Sequence, residues 1–130
     1  MTDTLPPGRE LDADVARVMG WAEAPAILAN MHGGMPSFMR DGIVYFQKLP
    51  HLSTTYESMG LCLEWLRQDE CDDISLHWTE DKEWCVYLWK RGMKAVMEYA
   101  PTLPHAVALA VIEYGRATKQ TAVPSQPQPQ

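Results

Sequence analysis

Apolar positions recur along this chain with two different periods. Leu11, Val15, Val18 and Met19 lie three or four residues apart, with Glu10, Asp12, Asp14 and Arg17 between them, and the spacing predicts an amphipathic helix. Acids in its first turn suit the positive end of the helix dipole, and Gly20 suits its C-terminal stop. Residues 22–42 hold no regular period, because Pro25, Gly33, Gly34 and Pro36 break any long element. Ile43-Val44-Tyr45-Phe46 is β-prone and predicts a short strand. After Pro50 the helical period returns. Tyr56, Met59, Leu63 and Leu66 form a stripe widened by Cys62 and Trp65, while Gly60 either weakens this helix or permits close packing on it. Thr54 and Glu57 have capping-box spacing, with Ser53 as the alternative cap.

The period then shortens to two. Ile74, Leu76 and Trp78 alternate with Ser75 and His77, which predicts a strand, and Thr79 to Glu83 is polar enough for a turn. The run from Trp84 to Trp89 is apolar on both faces, so it is expected inside the sheet with both faces covered. Arg91-Gly92 turns the chain into a third strand, Met93 to Tyr99. Thr102 is placed to cap a last helix, with Pro104 tolerated in its first turn and Leu103, Val107, Ala110, Val111 and Tyr114 as its buried stripe.

Size and composition fit one domain. A chain of 130 residues buries about two-thirds of its unfolded surface, and an apolar share of 46% is ordinary for a globular protein. The expected organisation is a flexible arm over 1–8, a folded domain over 9–118 and a disordered Pro/Gln-rich tail over 119–130. No apolar run approaches the roughly 18 residues of a membrane span, and Met1-Thr2-Asp3-Thr4 is no secretion signal, so the expected setting is cytoplasmic. The net charge of −6 repels phosphate backbones, disfavours direct nucleic-acid binding and suits a basic partner surface. Cys62, Cys71 and Cys85 cannot all pair, and none lies in a Cys-x-x-Cys motif, so reduced thiols are expected.

Several segments together resemble the phage ABA sandwich domain: Gly8-Arg9-Glu10-Leu11-Asp12 with Met19-Gly20-Trp21, the Pro50-x-x-Ser53-Thr54 start of the middle helix, the paired strands, and the Ala-rich helix after Ala100-Pro101-Thr102. The resemblance covers roughly residues 5–117. That family carries Pro-Pro-Tyr-Ser-Thr-Asp at the second motif, where this chain has Pro50-His51-Leu52-Ser53-Thr54-Thr55, and the segment from Ala24 to Arg40 matches no family motif. The resemblance implies a three-layer α-β-α sandwich with a small, mainly antiparallel sheet and about three helices, and a phage or prophage source. It implies no reaction.

The candidate chemistry is sparse. Arg9, Glu10 and Asp12 are read as helix initiation, with Arg9 paired to a neighbouring acid. His32, His51, His77 and His105 are too scattered among the cysteines for a zinc site, although His77 and Cys85 face each other across the predicted hairpin. Cys62 and Cys85 fall on apolar elements, and Cys71 lies among acids that disfavour its thiolate. No nucleophile elbow or phosphate loop occurs, so no catalytic residue, metal or cofactor is assigned. The distinctive feature is acidic: Asp69, Glu70, Asp72 and Asp73 precede the first hairpin strand, and Glu80, Asp81 and Glu83 follow it, roughly 17 Å away. These seven acids are the candidate partner-binding residues. The leading expectation is a non-enzymatic phage accessory protein that binds and inhibits a host factor such as an antiviral defence component, and that can self-associate. A nucleotide-signal sponge using Arg9, Arg40, Lys48, Trp78, Trp84 and Trp89 is the alternative, and a virion or assembly component the third.

Overall fold

The computed structural model describes residues 6–23, 38–40, 44–46 and 51–122. Among the described residues the fold is a mixed α+β arrangement of three helices and two small antiparallel sheets. In chain order the elements are α1 (Arg9–Val18), β1 (Ala22–Glu23), β2 (Phe38–Arg40), β3 (Val44–Phe46), α2 (Tyr56–Gln68), β4 (Asp73–Trp78), β5 (Trp84–Trp89), β6 (Val96–Ala100) and α3 (Leu103–Ala122). One sheet has the order β1-β2-β3 and the other β4-β5-β6. The predicted short strand at 43–46 is therefore one of three. β1 and β2 lie in the stretch whose sequence shows no period, because strands of two and three residues are too short to establish one.

α1 forms where the apolar spacing places it and ends where Gly20 allows. Gly20 has φ 85°, and the Trp21 and Gly20 amides donate to the carbonyls of Ala16 and Arg17, each at 3.0 Å. This is the paired closure of a Schellman end, which needs a left-handed residue at that position. α2 ends in the same way without a glycine: Glu70 has φ 62°, and Cys71 and Glu70 donate to Leu66 and Arg67. At its start the cap is Thr55, whose hydroxyl accepts from the Ser58 amide at 3.2 Å, and not Thr54 or Ser53. Tyr56, expected on the buried stripe, is exposed, because it stands in the first turn; Met59, Cys62 and Leu66 carry the burial.

The core is organised around α3. Every residue from Leu103 to Val111 is buried, the signature of a helix enclosed on all sides. One side packs on β5 and β6, and α1 and α2 pack on the helix elsewhere. Full burial of each large side chain, such as Val107, Val111 and Tyr114, contributes roughly 1.5–3 kcal/mol. The α1–α3 approach depends on Gly115, since a Cβ there would stand 2.5 Å from Val18 Cγ1, and valine has little rotamer freedom in a helix. α3 also runs on to Ala122, past the expected domain end at 118; the rest of the Pro/Gln-rich tail lies outside the described residues.

In the second sheet, β5 is central, as its two-sided apolar pattern predicts. The register sets Ile74, Leu76 and Trp78 beside Leu88, Val86 and Trp84 on one face, continued by Val96, Glu98 and Ala100 of β6. Val86, Leu88, Val96 and Ala100 on this face are buried in the core shared with α3. The other face carries His77, Cys85 and Tyr99 in one row and Ser75, Tyr87 and Met97 in the next. Cys85 is buried there, but Met97 and Tyr99 are half exposed.

Candidate functional site

The Arg9–Asp12 and His51–Ser53 segments, 40 or so residues apart in sequence, meet at one buried carboxylate. Asp12 is fully buried on α1. Its Oδ1 accepts from the Ser53 hydroxyl at 2.6 Å and from the Ser53 amide at 2.7 Å. Its Oδ2 accepts from Arg9 Nη1 at 2.9 Å. The Gly8 amide donates to Ser53 Oγ at 2.9 Å, and Arg9 Nη1 also stands 2.8 Å from His51 Nδ1. A guanidinium has no acceptor, so His51 Nδ1 is the accepting atom in this contact. The expected pairing of Arg9 with a neighbouring acid is present, but it is part of a long-range clip between α1 and the approach to α2.

This constellation ties α1 to the segment before α2. Ser53 is fully buried and its proton points at a carboxylate, so no substrate reaches the oxygen. The nearby Cys62 thiol is pushed up to about 12 by burial and, secondarily, by the Asp12 charge, so it stays protonated and unreactive. Burial likewise raises the Cys71 thiol, which donates to the carbonyls of Trp89 and Asp73. All three cysteines are free thiols. Among the described residues, no group of three or more His, Cys, Asp or Glu is placed to hold a metal ion, and no helix is long and apolar enough to cross a membrane. His77 and Cys85 do face each other in the hairpin register.

The acids expected to bind a partner divide into two kinds. Asp69 Oδ2 accepts from the buried Tyr114 hydroxyl at 2.8 Å, and Lys90 Nζ donates to the Asp69 carbonyl at 2.7 Å. The Tyr114 hydroxyl is raised well above its ordinary range by burial and by this bond to Asp69. Trp65 meets Tyr114 edge-on at 5.8 Å. Asp72 Oδ2 accepts from the Arg91 amide at 2.7 Å, and Asp73 from Ser75 Oγ at 2.9 Å. Asp69 and Asp72 therefore tie the end of α2 to α3 and to the turn after β5, while Glu70 is exposed and the Asp73 carboxylate bonds within β4. Glu80 and Asp81 are exposed at the hairpin tip and Glu83 is half-buried beside them.

The tryptophans do not assemble one stacking pocket. Trp78 and Trp84 are opposite each other at the tip end, with ring centroids 5.5 Å apart and planes at 63°. Trp89 lies at the other end of β5 and on the other face, since five positions separate it from Trp84. Arg9 is engaged with Asp12 and His51, Arg40 lies in β2 opposite Val44, and Lys48 falls outside the described residues.

Sequence reasoning missed two things. One is the role of Asp12, although a signal was present: Asp12, Val15, Ala16 and Met19 share helical spacing, so an acid stands on the buried stripe. The other is the bonding of Asp69 and Asp72, which no local pattern announces. No family model, curated protein or solved structure matches the chain.

Proposed function

We propose that this chain is a non-enzymatic accessory protein of phage or prophage origin, acting in the host cytoplasm by binding and inhibiting a host protein through the small sheet. One observation carries the binding role. Four of the five large apolar side chains exposed among the described residues stand on the outer strands of the second sheet, Leu76 and Trp78 of β4 on the α3-facing side and Met97 and Tyr99 of β6 on the other. Exposed aromatic and methionine side chains of this kind are typical of interface centres. Trp78 lies 52% exposed on an edge strand, beside the hairpin acids Glu80, Asp81 and Glu83, and Tyr99 is close enough to feel the charges of Asp81 and Glu83.

The charge favours a basic partner over self-pairing along β4. Antiparallel pairing of two β4 edges would bring the 69–73 acids of one copy beside the 80–83 acids of the other, and like charges so placed repel. A lysine- or arginine-bearing surface meets the same edge with attraction and with cation–π contact to Trp78. The test is affinity purification from a bacterial host with the tagged chain and with the triple variant Glu80→Lys, Asp81→Lys, Glu83→Lys. The unchanged chain is expected to retain a defined host protein that the folded variant loses. Equal capture by both, or no stoichiometric partner, overturns the reading.

A further inference from the structure

The opposite edge of the same sheet carries a second feature that the hairpin does not explain. β6 pairs only with β5 among the described strands, so half its backbone donors and acceptors point outward along a free margin. Beside that margin lies a groove of about 320 Å³, lined by residues 94–98 on one wall and by Glu113, Arg116 and Ala117 of α3 on the other. An edge strand flanked by a helix is the geometry in which a peptide adds a strand to a sheet.

The charges inside the groove are unbalanced. Glu98 sits on the helix-facing side of β6, between the buried Val96 and Ala100. Its side chain makes no hydrogen bond or ion pair among the described residues, and burial together with the neighbouring Glu113 raises its carboxyl above the ordinary range. Arg116 offsets this only in part, because it is bonded to Glu113. Lys94, which precedes β6, also lines the groove but forms no ion pair with Glu98 among the described residues. Two carboxylates thus share one guanidinium at the margin of a strand that pairs on one side only among the described strands.

We propose that the groove between β6 and α3 accepts an extended peptide strand of a protein partner, with a lysine or arginine side chain seated between Glu98 and Glu113. The strand bonds to the outward backbone groups of β6, and its alternate side chains face α3. The cation supplies the charge that Glu98 lacks and selects strands that carry one. The site goes beyond the reading of β4 and the hairpin, since it uses the other edge of the sheet and none of the hairpin acids.

A display library of random ten-residue peptides, selected on the purified full chain, tests this directly. Enriched peptides are expected to carry a lysine or arginine among β-branched residues and to shift the backbone amide resonances of residues 94–98. Binding is expected to weaken roughly tenfold on Glu98→Lys, less on the isosteric Glu98→Gln, and not at all on the hairpin triple reversal. If Glu98→Lys fails to fold, Glu98→Gln carries the comparison. No enrichment, peptides without a cation, or binding indifferent to both Glu98 variants overturns the proposal and leaves Glu98 as a charge that guards the sheet edge.

Discussion

Asp12 and the hairpin acids are the same chemistry used in opposite ways. Asp12 is fully buried, and three donors from Ser53 and Arg9 satisfy it; Glu80 and Asp81 are exposed at a turn. Removing a carboxylate from water is costly unless donors replace the solvent. At Asp12 the replacement is complete, so the charge ties α1 to the segment before α2. At the hairpin there is none, so the charge stays available to a partner. Asp69 stands between them, part-exposed but bonded to a buried hydroxyl and close to Lys90. Burial and donor count, not residue type, decide which acid is structural.

The sharpest way to break this contrast is Asp12→Ala. It leaves the Ser53 hydroxyl and amide and the Arg9 guanidinium without their acceptor, and a loss of about 3–5 kcal/mol is expected in urea unfolding. A loss under 1 kcal/mol would show that the clip is dispensable. Next comes Asp69→Ala, which strips the buried Tyr114 hydroxyl of its acceptor and loosens Lys90; about 1–3 kcal/mol is expected by the same measurement. The smallest effect belongs to the reversal of Glu80, Asp81 and Glu83 to lysine. Unfolding should move by less than about 0.5 kcal/mol, as for surface sites without partners. A large loss there would make the hairpin acids structural and remove the distinction.

The segments themselves were readable, and their meeting was not. Leu11, Val15 and Met19 announce a buried helical face by spacing, and Gly20 announces its end. The alternation at 74–78 announces a strand and the two-sided apolar run at 84–89 a central one; that the first lies at an edge is set by the pairing. Ser53 looked like a helix cap because serine before an apolar stripe usually is one. In the fold Thr55 takes that role, and Ser53 turns to a carboxylate on another helix. A one-dimensional pattern cannot separate those uses, since both require a small hydroxyl near a helix start. The acid clusters posed the same problem: Asp69 and Asp72 read as surface charge, but Tyr114 and the Arg91 amide claim them from 45 and 19 positions away. For the hairpin tip the reading as exposed acid was sufficient, because a five-residue turn has few places to hide a side chain.

The sequence by itself determined the helices, the β4–β5–β6 meander and the buried stripe of the last helix, because these follow from periods of 3.6 and 2 and from local stops and caps. Only the tertiary structure decided which polar groups are structural. It set Asp12 against Ser53 and Arg9, set Asp69 against Tyr114, and left the Glu98 carboxyl without a bonded partner among the described residues, on the outer strand β6 near Glu113. The physical reason is that a hydrogen bond or an ion pair depends on a few ångströms of separation. Chain distance leaves that separation open until the elements have packed.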